Sequence, residues 1–496
     1  MQREVIMAPL HAVVVSYPAQ GHITPLMNFA EQLAMRGFFI TFVTTQWMDE
    51  RLLKAASKDA AARDREMAER GFNFQFLSIP AGLPPEHGRG TESEAHDLFL
   101  AVQRLGPVLE GVLTAHIKSV PLPPITCIVS DSFMSCTTHV TANLGIPRVI
   151  FWACSTANSI VQANANFLLA QGHIPVTEED LKSKDKVITC LPGKLPPIRP
   201  TDIVSMYREQ HVLEATYSAF LNESRSQNVG DYVLVNTFEE LEGGKEAIQG
   251  LTINGCPALA IGPLFLPNFL EGRKSTYSMR EEDKTCLRWL DAQKKGSVLY
   301  VSFGTSAVRS ERQLQELALG LEASGYPFLW VLRSDIAEGK SVVELPEGFM
   351  ERNRDRALLV SWTHQLQVLS HPSLGAFLTH SGWNSIIEAI SLGVPMIGWP
   401  YFADQFIHCR FVKDIWRVGL DFEGVDADEY KFVTKEEVNN KVRCIMEGST
   451  SNELQKNVLS LKELASKAVM EGGSSYVNMN KFIEDMGKIF TNQQYK

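Results

Sequence analysis

The sequence predicts an α/β fold of two domains, each with a parallel sheet between layers of helices. At 496 residues the chain is longer than one hydrophobic core usually serves, so two domains of about 200–250 residues are expected. Short apolar runs alternate with segments of helical period near the N-terminus, and this alternation returns after residue 297. Together these observations indicate repeated β-α-β units.

The first such unit has the pattern of a Rossmann-like sheet. The run from His11 to Tyr17 contains the Ala-Val-Val-Val sequence of a buried parallel strand. A helix is predicted from Thr24 and Pro25, because proline is tolerated in a first helical turn, and Phe39 to Val43 is the next strand. The unit has no G-x-G-x-x-G fingerprint of dinucleotide binding. Its turn instead places His22 at the carboxyl end of a strand, where open α/β sheets bind ligands.

The rest of the first domain repeats this alternation. Further strands are predicted at Gly71 to Pro80, Ile125 to Val129, Pro147 to Phe151, Val233 to Asn236 and Ala258 to Ile261. Asp131 follows one of them, and two interpretations are open from the residues alone. It caps the next helix, or it faces a ligand site at the strand end as His22 does. Residues 167–217 are rich in proline and weakly periodic, so loops with short helices are expected there.

The stretch from Trp362 to Gln405 predicts a strand, a glycine turn, a helix and a second strand. The apolar run from Leu374 to Thr379 is short enough for a buried strand, and Gly382 lies in the turn after it. The helix is expected to end at Gly393, because glycine readily takes the left-handed conformation of that position.

The start of that helix predicts an anion site. Asn384 and Ser385 are expected to cap the helix, whose free N–H groups and positive dipole end lie at the carboxyl end of the preceding strand. His380 adds a donor, and Glu388 lies one turn along the helix on the face of Asn384, within reach of ribose hydroxyls. The pattern therefore favours a site for a phosphate group.

These motifs resemble the signature box of plant family-1 UDP-sugar-dependent glycosyltransferases. The matching residues are Trp362-x-x-Gln365, His380-x-Gly382-Trp383-Asn384-Ser385-x-x-Glu388, Gly393-Val-Pro-Met and Trp399-Pro-x-x-x-Asp404-Gln405, at the family's spacing. Two positions depart from the usual pattern, because His364 stands where proline is usual and Ser381 stands where cysteine is usual. His364 lies beside the expected contacts to uracil.

The resemblance implies the GT-B arrangement, in which two Rossmann-like domains with parallel sheets face each other across a cleft. With the residue pattern, it divides the chain into an acceptor-binding domain at 1–264, a linker at 265–283 and a UDP-sugar-binding domain at 284–475. A C-terminal helix at 476–496 is expected to cross back to the first domain.

The resemblance also implies a catalytic pair. Residues 18–25 match the family pattern P-x-Q-G-H-x-x-P, in which the histidine is the base and corresponds to His22. The alternative for this residue is a structural histidine that caps the loop. The family's paired aspartate corresponds to Asp131, which would orient the imidazole and stabilise its developing charge.

For the donor, the resemblance implies that Trp362 and Gln365 hold uracil, although core packing is the alternative for the tryptophan. Asp404 and Gln405 would hold sugar hydroxyls, and Gln405 favours glucose. The implied donor-binding residues are Thr305, Trp362, Gln365, His380, Trp383, Asn384, Ser385, Glu388, Asp404 and Gln405.

The reaction implied is inverting O-glucosyl transfer from UDP-glucose, as co-substrate, to a hydroxyl of an apolar small molecule. A flavonoid, another phenolic, a terpenoid or a steroid would serve as acceptor. No cofactor or metal is expected, and the D-x-D sequence Asp426-Ala427-Asp428 is predicted to be a solvated acidic loop. Two alternatives are another donor, namely UDP-galactose, UDP-xylose or UDP-glucuronate, and a catalytically idle UDP-sugar-binding protein.

Composition limits the other partners. The net charge of −10 argues against nucleic acid, which favours basic surfaces. No apolar run approaches the roughly 20 residues of a membrane helix, and the first ten residues lack the apolar segment of a signal peptide. The eight cysteines have no metal-binding spacing. A cytoplasmic monomer without membrane insertion is therefore expected.

Overall fold

The computed structural model describes most of the chain. The described residues are 9–84, 92–119, 122–183, 185–211, 214–252, 255, 257–273, 277–305, 307–333, 335–336, 343–424 and 431–494. The D-x-D sequence, Asp426 to Asp428, lies outside them.

Two parallel sheets form the framework. The first has the order β3-β2-β1-β4-β5-β6-β7 and the second has the order β10-β9-β8-β11-β12-β13. The strands are β1 His11–Val15, β2 Phe39–Thr45, β3 Phe74–Ile79, β4 Ile125–Asp131, β5 Arg148–Trp152, β6 Tyr232–Val235, β7 Ala258–Ala260, β8 Val298–Ser302, β9 Phe328–Val331, β10 Ala357–Val360, β11 Leu374–Thr379, β12 Met396–Gly398 and β13 Gly419–Asp421. Each sheet reverses its strand order beside its first strand, which is the Rossmann-like topology that the sequence predicts.

Helices connect the strands. They are α1 Gln20–Ala34, α2 Gln46–Ala55, α3 Ala60–Glu69, α4 Glu92–Val102, α5 Gly106–Ser119, α6 Thr137–Leu144, α7 Thr156–Ala163, α8 Ala165–Ala170, α9 Glu178–Lys182, α10 Ala215–Ser226, α11 Lys245–Ile248, α12 Leu266–Leu270, α13 Cys286–Asp291, α14 Glu311–Ser324, α15 Phe349–Asn353, α16 Gln365–Leu369, α17 Trp383–Leu392, α18 Gln405–Arg410, α19 Lys435–Met446, α20 Gly448–Val469 and α21 Ser474–Gln494. Short 3-10 turns lie at Pro200–Asp202, Ser205–Tyr207, Glu209–His211 and Gln249–Leu251, and a π-helical turn lies at Phe411–Ile415.

The last helix, α21, packs on the first sheet. The ring of Phe482 lies 5.4 Å from that of Tyr232, and the Tyr232 hydroxyl donates to Asp485 over 2.9 Å. The side chain of Asn478 donates to the carbonyl of Ala260 over 2.9 Å. The chain therefore ends on the domain in which it began.

Helix α1 begins four residues earlier than predicted. It starts at Gln20, so that Pro25 lies inside the helix. Because proline has no N–H, the carbonyl of Gly21 cannot receive the usual bond from the residue four positions later. That carbonyl accepts instead from the Asn384 side chain of the second domain, over 2.8 Å. The proline therefore leaves an acceptor for a contact between the domains.

One membrane-related observation concerns the helices of the described ranges. None of them alone has both the length and the apolar composition of a bilayer span. The pair His96–Val102 and Gly106–Ala115 reaches that length and composition only when taken together, across a bend of 51°.

Candidate active site

The carboxyl ends of the two sheets face a common cleft that contains two adjoining cavities. The first, of about 270 Å³, is lined mainly by the second domain, and the second, of about 460 Å³, is lined mainly by the first domain. The two cavities share the residues Gln20, Gly21, His22, Ala153, Thr305, His380 and Asp404. A group bound in one cavity therefore meets a group bound in the other beside His22.

His22 and Asp131 lie within hydrogen-bonding distance. His22 is in the first turn of α1, and Asp131 is the last residue of the neighbouring strand β4. The Nδ1 atom of His22 lies 2.9 Å from Oδ2 of Asp131, which is fully buried, and 22% of the His22 side chain stays exposed. The other carboxylate oxygen accepts the Phe133 N–H over 2.9 Å. Asp131 thus makes both a turn-capping contact and a histidine contact, which the sequence left as alternatives.

The surroundings of His22 raise its pKa. Burial lowers the pKa, but the charge and hydrogen bond of Asp131, together with the charge of Asp404, outweigh burial, so the pKa lies above the ordinary value. The rings of Tyr17 and Phe133 flank the imidazole at 4.9 and 5.3 Å between centroids. With Nδ1 directed to Asp131, the Nε2 atom is the one left for a substrate proton.

The predicted anion site lies at the start of α17. Gly382 is the N-cap, and the first intrahelical bond runs from the Ile386 N–H to its carbonyl over 3.1 Å. The N–H groups of residues 383–385 therefore have no partner within the helix. The expected capping by Asn384 and Ser385 is wrong, because these residues lie inside the first turn and the helix has no side-chain cap. Asn384 instead contacts the first domain.

His380 lies beside this helix end and is neutral at physiological pH. Burial lowers its pKa to about 3, together with the positive charges of Arg333 and Arg309. Its imidazole packs against the backbone, since a Cβ atom at Gly304 would lie 2.6 Å from its Nε2 atom and one at Gly382 would lie 2.5 Å from the same atom. Only glycine fits at these two positions. A neutral imidazole here supplies a hydrogen-bond donor without adding charge.

The far end of the first cavity has a flat aromatic side chain beside amide and carboxyl groups. Trp362 is half-buried, so part of its ring faces the cavity. The Gln365 Nε2 atom donates to Ser385 Oγ over 3.0 Å and to Glu388 Oε2 over 2.7 Å. Burial raises the pKa of Glu388 to about 7, and the Gln365 bond lowers it only in part. This end has the size and polarity to hold a base and a ribose.

Asp404 and Gln405 lie where the cavities meet. Asp404 lines both of them, and buried His408 lies behind it, with Nδ1 3.7 Å from the Asp404 carboxylate and Nε2 2.9 Å from Ser155 Oγ of the first domain. Gln405 is buried, and its Oε1 accepts the N–H groups of Tyr401 and Phe402 over 2.8 and 3.2 Å. The two backbone bonds hold the Gln405 side chain in place.

Trp383 is positioned differently from the other predicted donor residues. Its indole is buried between the domains, where Nε1 donates to the carbonyl of Asn236 over 2.8 Å and the ring lies 5.0 Å from that of His408. The residue lines the first cavity, but its indole N–H is already used. Thr305 lines both cavities.

A segment from Tyr277 to Asp283 also forms part of the site, although the sequence marked it only as a polar linker. Gln20 accepts the Met279 N–H over 2.8 Å, and the Asp283 N–H donates to the Trp362 carbonyl over 2.9 Å. The segment thus ties α1 to Trp362 and contributes to the walls of both cavities. The only signal in the sequence is Tyr277 and Met279, which place large apolar side chains at alternate positions in a polar stretch.

One part of the wall of the second cavity is aromatic. Its rings are in mutual contact, with 4.2 Å between the centroids of Phe99 and Phe220 and 6.0 Å between those of Phe99 and Phe133. Such a wall suits a flat apolar molecule. Among the described ranges, no group of three or more His, Cys, Asp or Glu side chains is arranged to hold a metal ion.

Comparisons with known proteins show which proteins this chain is similar to. The profile of the UDP-glucuronosyl and UDP-glucosyl transferase family matches residues 265–471. The chain is 36% identical to UDP-glycosyltransferase 85A8 of Stevia rebaudiana, over 96% of this chain and 97% of that protein. It is 36% identical to 7-deoxyloganetin glucosyltransferase of Catharanthus roseus, over 96% of each. The structure of Phytolacca americana UGT2 with UDP-2-fluoro-glucose and pterostilbene superimposes with a TM-score of 0.77 at 27% identity, over 97% of this chain and 100% of that one.

Proposed function

Because this chain belongs to the plant family-1 UDP-glycosyltransferases, we propose that it moves glucose from UDP-glucose to a hydroxyl of an apolar small molecule, with inversion at the anomeric carbon. The observation that carries this proposal is the His22–Asp131 pair at the junction of the two cavities. The donor would occupy the first cavity and the acceptor the second.

His22 would act as the general base. Its Nε2 atom takes the proton of the acceptor hydroxyl as the oxygen attacks the anomeric carbon and the bond from that carbon to the UDP oxygen breaks. An acceptor in the second cavity would attack the anomeric carbon from the face of the sugar opposite to the leaving UDP, so the configuration would invert. Asp131 would keep the remaining imidazole proton on Nδ1 and stabilise the imidazolium that forms.

The departing UDP gains negative charge at its diphosphate. The positive end of α17 and its unpaired N–H groups would stabilise this charge, with the neutral His380 as an added donor. We therefore propose that the reaction needs no metal or other cofactor. Full activity in EDTA is expected, and activity lost in EDTA and restored by Mg²⁺ would contradict this part of the proposal.

Glucose as the donor sugar is supported by Gln405 and Asp404, through the resemblance of the signature box, and by the printed name of the Catharanthus roseus relative. UDP-galactose, UDP-xylose and UDP-glucuronate are the competing donors. A catalytically idle UDP-sugar-binding protein is disfavoured, because binding alone does not require a base such as His22 held 2.9 Å from the buried carboxylate of Asp131.

The experiment is a matrix of the four UDP-sugars against flavonoid, other phenolic, terpenoid and steroid acceptors. Product is detected by mass, UDP release is measured in parallel, and the anomeric configuration is read by NMR. Product with UDP-glucose above the other donors is expected. Tight UDP binding without any product or UDP release would favour the idle binding protein.

We further propose that the protein works in the cytoplasm as a monomer. The seven cysteines of the described ranges are free, as a reducing compartment would leave them, and five of the seven are buried. Cell fractionation and light scattering test the two statements separately.

A further inference from the structure

The acceptor cavity extends across the carboxyl ends of four neighbouring strands. Trp47 follows β2, His22 follows β1, Phe133 follows β4 and Ala153 follows β5, and all four residues line the cavity. Neighbouring strands lie about 4.8 Å apart, so the β2 side is about one strand spacing from the base and the aromatic wall lies on the opposite side. The two sides of the cavity therefore meet different parts of one acceptor.

The β2 side is cationic. Arg51 lies one helical turn after Trp47 on α2, and its guanidinium carbon stands 4.3 Å from the centre of that ring. It is half-buried and lines the cavity. Within the described part of the chain, the structure gives Arg51 no ion pair and no hydrogen bond; its neighbour across the cavity is a second arginine, Arg280.

Asp335, the described carboxylate whose charge acts on Arg51, already pairs with two other arginines. Asp335 lies 2.5 Å from Nη2 of Arg280 and 2.9 Å from Nε of Arg333. Asp335 therefore pairs with Arg280 and Arg333 and not with Arg51, and the other carboxylate of the cavity wall, Asp404, lies where the two cavities meet. Burial lowers the pKa of Arg51, the charge of Arg280 lowers it further, and Asp335 offsets this only in part. Arg51 is half-buried, and the charge of Arg280 affects it more than the charge of Asp335 does. Such a cation is stabilised when an anion binds beside it.

The anion that would bind beside Arg51 is not the diphosphate of the donor. Arg51 and Arg280 line the acceptor cavity and are absent from the lining of the donor cavity. The start of α17, which we propose holds the diphosphate of the donor, lines the first cavity. Arg51 is thus available to the acceptor, and Arg280, although paired with Asp335, lines the same cavity. Arginine binds planar carboxylates through paired, charge-assisted hydrogen bonds.

We propose that the preferred acceptor carries a carboxylate, bound by Arg51 and Arg280, on a flat apolar skeleton whose hydroxyl points to His22. This inference rests on the proposed glycosyl transfer and narrows its acceptor to hydroxy acids. The carboxylate sits on the β2 side, the skeleton lies against Phe133 and Phe99, and the hydroxyl is about one strand spacing from the acid-binding side.

The test compares a hydroxyaryl carboxylic acid with its methyl ester, in the wild type and in Arg51→Gln. The ester keeps the hydroxyl and the skeleton and removes only the charge. The wild type should use the acid with a kcat/KM about 10–100 times that for the ester, the range of a charge-assisted hydrogen bond. Arg51→Gln should remove most of this preference by lowering kcat/KM for the acid alone, and Arg51→Glu should reverse it.

Lys54→Gln is the matched control, because it removes the same charge from an exposed position on the same helix. It should leave the acid-to-ester ratio unchanged. Calorimetry with UDP should give the same Kd for the wild type and Arg51→Gln. The proposal would be overturned if the wild type had equal kcat/KM for the ester and the acid, or if Arg51→Gln lowered both kcat/KM values by the same factor. Weaker UDP binding in Arg51→Gln would also overturn it.

Binding of the acid and the ester, followed by calorimetry without UDP-glucose, separates this inference from the proposed reaction. Tighter binding of the acid that disappears in Arg51→Gln supports the carboxylate site even if no transfer is seen. Equal binding of acid and ester would overturn the carboxylate site even in an active glycosyltransferase.

Discussion

Replacing Asp131 with asparagine should impair catalysis by changing which nitrogen of His22 carries the proton. The two oxygens of Asp131 accept from two donors, His22 Nδ1 and the Phe133 N–H, each over 2.9 Å. Asparagine has one oxygen and one NH₂ group, so one of the two contacts becomes donor against donor. The backbone N–H of Phe133 cannot lose its proton, whereas an imidazole can shift its proton between nitrogens.

The amide oxygen should therefore face Phe133 and the NH₂ group should face His22. The imidazole proton then moves to Nε2, the atom that must receive the acceptor's proton. In the serine protease triad the corresponding change of aspartate to asparagine lowers kcat about 10⁴-fold, and removal of a general base typically costs about 10²–10⁴-fold. A loss of kcat in this range is expected for Asp131→Asn, together with a shift of the acid limb of kcat/KM to lower pH. The shift has this sign because Asp131 raises the pKa of His22, and without its charge a lower pH is needed to protonate His22 and stop it acting as a base.

The assay is UDP release against pH for wild type and Asp131→Asn, with the His22 tautomer read from nitrogen chemical shifts. UDP affinity should not change, because the helix-end site lies in the other domain, and this serves as the control for folding. Wild-type turnover with an unmoved acid limb would refute the argument that Asp131 orients His22.

Three further predictions concern the donor cavity. Trp362→Ala should weaken UDP binding by about 1–3 kcal/mol, a typical loss for a base stacked on an aromatic ring, with KM for the acceptor unaffected; an unchanged Kd by calorimetry would assign Trp362 to core packing. Affinity for UDP-glucose, whose diphosphate does not titrate near pH 7, should fall as the pH drops through about 7, because burial raises the pKa of Glu388 to about 7 and only the ionised carboxylate accepts two ribose hydroxyl bonds; Glu388→Gln should bind more weakly and lose this pH dependence, and a pH dependence that persists in the variant contradicts the assignment. Gly382→Ala should displace the His380 ring, whose Nε2 atom would lie 2.5 Å from the new Cβ, and weaken UDP binding by about 1–3 kcal/mol, whereas Gly111→Ala meets no atom within 4 Å and should bind UDP normally.

Much of the framework follows from local sequence. The apolar runs that predict strands recur as β1, β4 and β11 within two residues of the expected bounds, because a short apolar run between turn signals has few other stable arrangements. The glycine end of α17 at Gly393 is confirmed for a similar reason, since a left-handed glycine ends a helix through contacts over a few residues.

The errors occur where a distant contact overrides a local preference. Pro25 marks a helix start in isolation, yet α1 begins at Gln20. The Gly21 carbonyl, which Pro25 leaves without its helical bond, accepts a hydrogen bond from the Asn384 side chain of the other domain. Asn384 and Ser385 are good caps in isolation, yet Asn384 is used in that contact and Ser385 receives the bond of Gln365. Residue types predict what a side chain is able to do, and the tertiary partner selects one of those options.

By itself the sequence determined the two parallel-sheet domains, the strand ends that carry His22, Asp131 and Trp362, and the helix end suited to phosphate, because periodicity and turn chemistry are local properties. Only the tertiary structure decided that His22 and Asp131 lie 2.9 Å apart, since they are 109 residues apart along the chain and meet through the pairing of β1 with β4. It likewise decided that the Trp383 indole is turned into the domain interface and that Arg51 meets Arg280 in the acceptor cavity. Such contacts depend on strand pairing within a sheet and on how the two domains face each other, and no single stretch of sequence records either.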